Sequence, residues 1–109
     1  MQEVLRALAE PRRQAILRLV SERELASGEI AAHFDVSRPA ISQHLQVLKA
    51  AGLVAVRRVG TRHLYQARIE GLAELRAFLE EFWEDALSRL AIAAEAEERR
   101  LADDDPRRD

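Results

Sequence analysis

The sequence predicts a mostly α-helical domain with one small β-hairpin, on three observations. Residues 27–52, SGEIAAHFDVSRPAISQHLQVLKAAG, hold two short helical patterns on either side of a tight turn. Residues 53–67, LVAVRRVGTRHLYQA, alternate as two strands would around Gly60-Thr61. Residues 70–101 repeat Leu and aromatic side chains at spacings of three and four. Taken in order, these elements spell a winged helix-turn-helix followed by a long helix whose apolar face needs a partner.

Each element has a local cause. In residues 2–9, Val4, Leu5 and Leu8 form a helical stripe, and Glu10-Pro11 ends it because a residue before proline is pushed out of the helical region. Pro11 opens a second helix, with Ile16, Leu17, Leu19 and Val20 apolar. Arg12 and Arg13 fall in its first turn, where positive charge opposes the helix dipole. A nearby phosphate would explain them there, and so would plain solvation. Ser27 is placed to cap the third helix, whose apolar residues are Ile30, Ala31 and Phe34. Asp35-Val36-Ser37 forms the turn. Ser37 caps the next helix, with Pro39 in its first turn. Ile41, Leu45 and Leu48 line one face of that helix, and Gly52 supplies a left-handed stop.

The other face of that helix carries Arg38, Ser42, Gln43 and Gln46, all able to bond base edges, and no acid. An ordinary solvated face would bring Glu and Lys, so the pattern favours base reading in a DNA major groove. In the hairpin, Gly60-Thr61 as a two-residue turn pairs Val56 with Tyr65 and Val54 with Ala67 on one buried face. Arg57, Arg58, Arg62 and His63 then cluster near the tip, as a wing laid along phosphates would require. The competing account is a merely solvated hairpin end.

Composition bounds the rest. The chain has 109 residues, 48% of them apolar, enough for one core. Cysteine is absent, which excludes disulfides and thiolate metal sites and points to an intracellular, cytoplasmic protein. The amphipathic, charged N-terminus has no apolar signal core, and no apolar run reaches membrane-spanning length. Net charge is −2, but residues 1–68 carry 11 Arg/Lys against 6 Asp/Glu, whereas residues 69–109 carry 6 against 13. Between Asp35 and Glu70 stand six Arg/Lys and no acid, the locally positive surface that phosphates demand.

In the last helical pattern, Leu72, Leu75, Leu79, Phe82, Ala86, Leu90 and Ala93 make a stripe that Phe78, Trp83 and Leu87 widen. At about 1.5 Å per residue this helix would run more than roughly 40 Å, too long and too apolar for one small domain. Its expected partner is its own copy, through Leu79, Phe82, Trp83, Ala86 and Leu90. One domain is thus expected over 1–101, with a dimerisation helix at about 70–101 and a disordered tail over 102–109.

With Ser37–Leu48, SRPAISQHLQVL, the chain resembles the ArsR/SmtB-type bacterial winged-helix transcriptional repressors, and the likeness extends to AEPRRQAILRLV before it and AGLVAVRRVGTRHLYQA after. The resemblance implies a homodimer joined by helices from both chain ends, which adds Val4, Leu5 and Leu8 of the first helix to the expected interface. It also implies a major-groove helix reading bases with Arg38, Ser42 and Gln43, and wing arginines on the backbone. Metal sensors of this family carry cysteines before the turn, or a His/Asp/Glu set on the last helix. Here there is no cysteine, no histidine follows His63, and His33, His44 and His63 lie on separate elements without ligand spacing. No metal and no cofactor are therefore expected. The chain resembles the sensorless, often self-regulating members, with a small organic effector between the dimer helices left open. The function expected is a dimeric, sequence-specific DNA-binding repressor of double-stranded DNA with an inverted-repeat operator. A winged helix used only for protein–protein interaction is the alternative, and it leaves the acid-free stretch unexplained. Paired acids such as Glu80/Glu81 and Glu84/Asp85 sit on a solvated face without a nucleophile or glycine-rich phosphate loop, which argues against an enzyme.

Overall fold

The order of elements follows from where apolar stripes end and backbone breakers begin. The computed structural model describes residues 1–103, and their contacts form two units, Met1–Leu75 and the chain from Arg76 onward. In the first unit, α1 (Gln2–Leu8) buries Val4 and Ala7, and Pro11 starts α2 (Pro11–Glu22), which buries Ile16 and Val20. The Glu10 carboxylate accepts the Arg13 N–H at 2.9 Å, so an acid caps the helix that two arginines open.

A two-residue strand, β1 (Leu25–Ala26), leads into α3 (Ser27–Ala31). The sequence gives no sign of β1, because two residues carry no periodicity. Ser27 is the first helical residue of α3 and not its cap. Ala26 holds the cap position, and its N–H donates to the Glu29 carboxylate at 3.0 Å, so the acid three residues on does what a Ser27 hydroxyl was expected to do.

Ser37 caps α4 (Arg38–Ala50) as expected, its hydroxyl accepting the Ala40 N–H at 3.3 Å. The helix buries Ile41, Leu45 and Leu48. It ends where Gly52 turns to φ 75°, with Leu53 N–H bonding the Leu48 carbonyl and Gly52 N–H that of Lys49. Strands β2 (Val54–Val59) and β3 (Arg62–Ala67) form the hairpin in the expected register, Val56 opposite Tyr65 and Val54 opposite Ala67. Gly60 makes its turn at φ 62°, a conformation a side chain would strain. The sheet order is β1-β3-β2, all antiparallel, so the hairpin is anchored to the segment ahead of α3. Ile16, Val20, Ile30, Ile41, Leu45, Leu48 and Leu53 fill the centre of this unit, with Leu25, Val54 and Tyr65 closing it from the sheet.

A 3₁₀ turn at Ile69–Leu72 precedes α5 (Ala73–Asp103), which therefore begins three residues later than the pattern suggested. Leu72 and Leu75 pack against the core of the first unit. None of the 31 residues of α5 is buried, and Phe82, Trp83 and Leu90 are each more than half exposed. Phe78 and Phe82 stack on one another with ring centroids 6.4 Å apart. The tail expected to be disordered over 102–109 begins inside this helix, since Ala102 and Asp103 are helical, and the remainder lies outside the described residues.

Candidate nucleic-acid interface

Burying Ile41, Leu45 and Leu48 leaves the rest of α4 outside, so Arg38, Ser42, Gln43 and Gln46 are all exposed. The geometry divides them. Ser42, Gln43 and Gln46 follow at helical spacing along the open face, whereas the Arg38 guanidinium lies over α3 at Gly28. A Cβ on Gly28 would stand 3.3 Å from Arg38 Nη2, so the glycine makes room for the arginine. Between Arg38 and the wing opens a groove of about 410 Å³, lined by Ser27, Glu29, Arg38, Thr61, Arg62 and His63. Of the base-reading candidates, Arg38 thus meets the wing candidates Arg62 and His63 at the start of α4.

The two arginines that open α2 are occupied within the fold. Arg13 donates from Nε to the Ala7 carbonyl at 2.7 Å and from Nη2 to that of Arg6 at 3.1 Å. Its Nη1 lies 3.4 Å from His44 Nδ1. The residue satisfies the open end of α1 and ties it to α4, which explains a cation at a helix start better than a phosphate does. Arg12 lies 5.7 Å over the Phe34 ring, a cation–π contact that joins α2 to the turn after α3. Both side chains are half-buried.

On the wing, side chains alternate between two faces. Arg58 stands directly opposite His63, both exposed, on the face that carries Val56 and Tyr65 further in. Arg58 Nε donates to the Gly60 carbonyl at 3.2 Å, steadying the tip. Arg57 and Arg62 take the other face, and neither is a free cation. Arg57 grips Glu24 with Nε at 3.1 Å and Nη2 at 2.6 Å, and Arg62 pairs with Glu29. The stretch without acids in sequence is therefore not acid-free in space, because β1 and α3 bring two carboxylates across 33 positions. The hydrogen bond from Arg57, with its charge, lowers the Glu24 pKa from the ordinary carboxylate value, and Glu24 raises that of Arg57.

The histidines do not converge. His33 Nδ1 lies 2.9 Å from the Glu29 carbonyl, His44 meets Arg13, and His63 is on the wing. Among the described residues no group of three or more His, Cys, Asp or Glu could hold a metal ion, and no helix is long and apolar enough to cross a membrane.

With this geometry in place, likeness to known proteins becomes specific. The family "Bacterial regulatory protein, arsR family" matches residues 10–56, which run from the cap of α2 into β2. The HTH-type transcriptional regulator Rv2034 of Mycobacterium tuberculosis is 48% identical over 91 residues, 84% of this chain and 85% of that protein. The chain belongs to the arsR family of bacterial regulatory proteins. The transcriptional repressor SdpR of Bacillus subtilis is 40% identical over 60 residues, 55% of this chain and 67% of its own length. A solution structure of the homodimeric winged helix-turn-helix DNA-binding domain Mb0332 from Mycobacterium bovis, a possible ArsR-family regulator, is 37% identical. It superposes with a TM-score of 0.62 over 77% of this chain and 78% of that one. The winged helix-turn-helix of the arsR family is thus the fold of this transcriptional regulator.

Proposed function

We propose that this regulator is a dimeric, sequence-specific repressor of double-stranded DNA that performs no catalysis of its own. One observation carries the reading: α4 turns its three large apolar residues inward and presents Ser42, Gln43 and Gln46 outward without an acid, with Arg38 at the end nearest the wing. Amide and guanidinium groups bond base edges in the major groove, Gln with adenine and Arg with guanine. Ser37 at the helix start and Arg58 and His63 on the wing supply sugar–phosphate contacts that set the register. Arg12 joins them only at the cost of its place on Phe34, and Arg13 serves the fold. Arg57 and Arg62 are part of the wing as ion pairs.

Dimerisation runs through α5, with Leu79, Phe82, Trp83, Ala86 and Leu90, and through Val4, Leu5 and Leu8 of α1. The exposed apolar stripe of α5 and the homodimer named for the Mycobacterium bovis domain support it. Of the α1 residues, Leu5 is exposed, whereas Val4 is buried and Leu8 half-buried in the chain's own core, so Leu5 offers most to a partner. A two-fold protein reads an inverted repeat with half-sites about 34–36 Å apart, and a bound dimer blocks a promoter it overlaps. Selection from a random duplex pool tests this. An enriched inverted repeat is expected. Enrichment of nothing, with no salt-dependent duplex binding, would leave the winged helix as a protein-interaction module.

A further inference from the structure

The wing carries three arginines, yet two face carboxylates that the fold delivers to them. Glu24 stands beside β1 on the outer face of the sheet, diagonally across β3 from Arg57, and binds it with both oxygens. Its side chain is 23% exposed against 64% for Arg57, so the carboxylate is the more enclosed member of the pair. Glu29 is tied to the backbone, because the oxygen that meets Arg62 also accepts the Ala26 N–H that starts α3. Arg58 and His63, on the opposite face, have no carboxylate among their described contacts.

DNA affinity that ignores sequence comes from cations that displace counterions from phosphates. A cation whose counterion is part of the same chain gains little from such an exchange. If the arginine stays paired, it releases nothing. If it swings to a phosphate, it leaves a carboxylate facing a polyanion, and the net displacement is again near zero. Resting on the DNA-binding reading above, we infer that Glu24 and Glu29 are built-in counterions of Arg57 and Arg62 that withhold the two arginines from the phosphate contacts. The wing's contribution to sequence-independent binding then falls to Arg58 and His63, and the reading face of α4 carries a larger share of operator affinity. The two glutamates act through the arginines and touch no DNA, so they are positioning residues.

The test is duplex binding by the full chain over a salt series, with a short mixed-sequence duplex as probe. Wild type is compared with Glu24→Gln/Glu29→Gln, which keeps side-chain shape and removes both charges. The double variant is expected to bind tighter, with a log–log salt slope steeper by about 1.8, at about 0.9 per arginine released. Each single variant, less exposed to any folding defect, is expected to give about half of that. Arg58→Ala is expected to flatten the wild-type slope by about 0.9. An unchanged slope in the glutamine variants overturns the inference, since the arginines would already be on phosphates. Weaker binding overturns it in the other direction, since the carboxylates would then aim the arginines at DNA. Wild type that fails to bind duplex in a salt-dependent way refutes the DNA reading itself, a separate outcome.

Discussion

Helices α4 and α5 have the same kind of apolar stripe and opposite fates. In α4, Ile41, Leu45 and Leu48 recur at spacings of four and three and are buried within their own chain. In α5, Leu79, Phe82, Ala86, Leu90 and Ala93 recur just as regularly, and none is buried. Periodicity dictates which residues share a face and is silent about what covers that face. A small unit with one core can cover only so much helix, and the first unit has closed around Ile30, Leu45 and Leu53. What remains on α5 is an exposed apolar face, so the two helices answer to different perturbations.

Phe82→Glu breaks the comparison hardest. Phe82 is 58% exposed in the chain, and a symmetric seam would bring the new charge against its own copy in a desolvated place. Each large apolar side chain lost from such a seam forfeits roughly 1.5–3 kcal/mol, counted on both subunits. Light scattering is expected to show monomers or unfolded chains. Operator titration should then show most affinity gone, because one half-site no longer raises the effective concentration at the other. A dimer that survives moves the interface to α1. A monomer that binds the full operator as wild type does would remove the need for two half-sites.

The next pair of substitutions separates the helices directly. Leu48→Ala empties a fully buried position and is expected to destabilise the fold by about 2–5 kcal/mol in denaturant melts, equally at every protein concentration. Leu90→Ala, at a position 65% exposed, is expected to act through mass action alone, raising the dimer dissociation constant on dilution. Were Leu90→Ala to cost as much as Leu48→Ala at all concentrations, α5 would belong to a core of its own chain.

What the sequence disclosed divides along the same line. The hairpin register was legible to the residue, because alternation and a Gly60-Thr61 turn leave one pairing that puts Val54, Val56, Tyr65 and Ala67 on one face. Helix α4 was legible from its cap at Ser37 to its stop at Gly52. Contacts between segments far apart were not. Strand β1 is two residues long, and Glu24 just before it meets Arg57, so a stretch without acids looked more cationic than it is. Arg13 misled for a related reason: its partners are carbonyls at the end of α1, and any residue can supply a carbonyl.

Smaller effects are expected at the reading face. Arg38→Ala should cost about 1–3 kcal/mol at one base pair and relax specificity there, with Gln43→Ala acting at a neighbouring position. Gly28→Ala sharpens the point, since a methyl group 3.3 Å from Arg38 Nη2 shifts the guanidinium without touching DNA. It is expected to weaken discrimination at the Arg38 position and to leave the Gln43 position alone. Binding to a panel of single-base operator variants reads both. If Arg38→Ala and Gln43→Ala bind that panel as wild type does, α4 does not lie in the major groove.

The smallest effect sets an ion pair of the first unit against one on α5. Glu24 meets Arg57 across 33 positions, and Glu97 meets Arg100 three positions along one helix. Both carboxylates have pKa values lowered below the ordinary range, chiefly by the arginine hydrogen bond. A carboxylate depressed in the folded state adds stability that is complete above its unfolded value and is lost as pH falls through the folded one. Both pairs therefore weaken on acidification, but they tie different things. The Glu24 pair fastens the hairpin to the segment before α3, so Glu24→Gln is expected to lower the melting temperature of the fold slightly at neutral pH. That difference from wild type should vanish as acid protonates Glu24. Glu97→Gln removes a contact within one helical stretch, whose exposed pair contributes locally, and should leave the melting temperature unchanged at either pH. Equal effects of the two would mean that α5 melts as one cooperative body with the first unit, and that the contrast between the helices concerns burial and not folding.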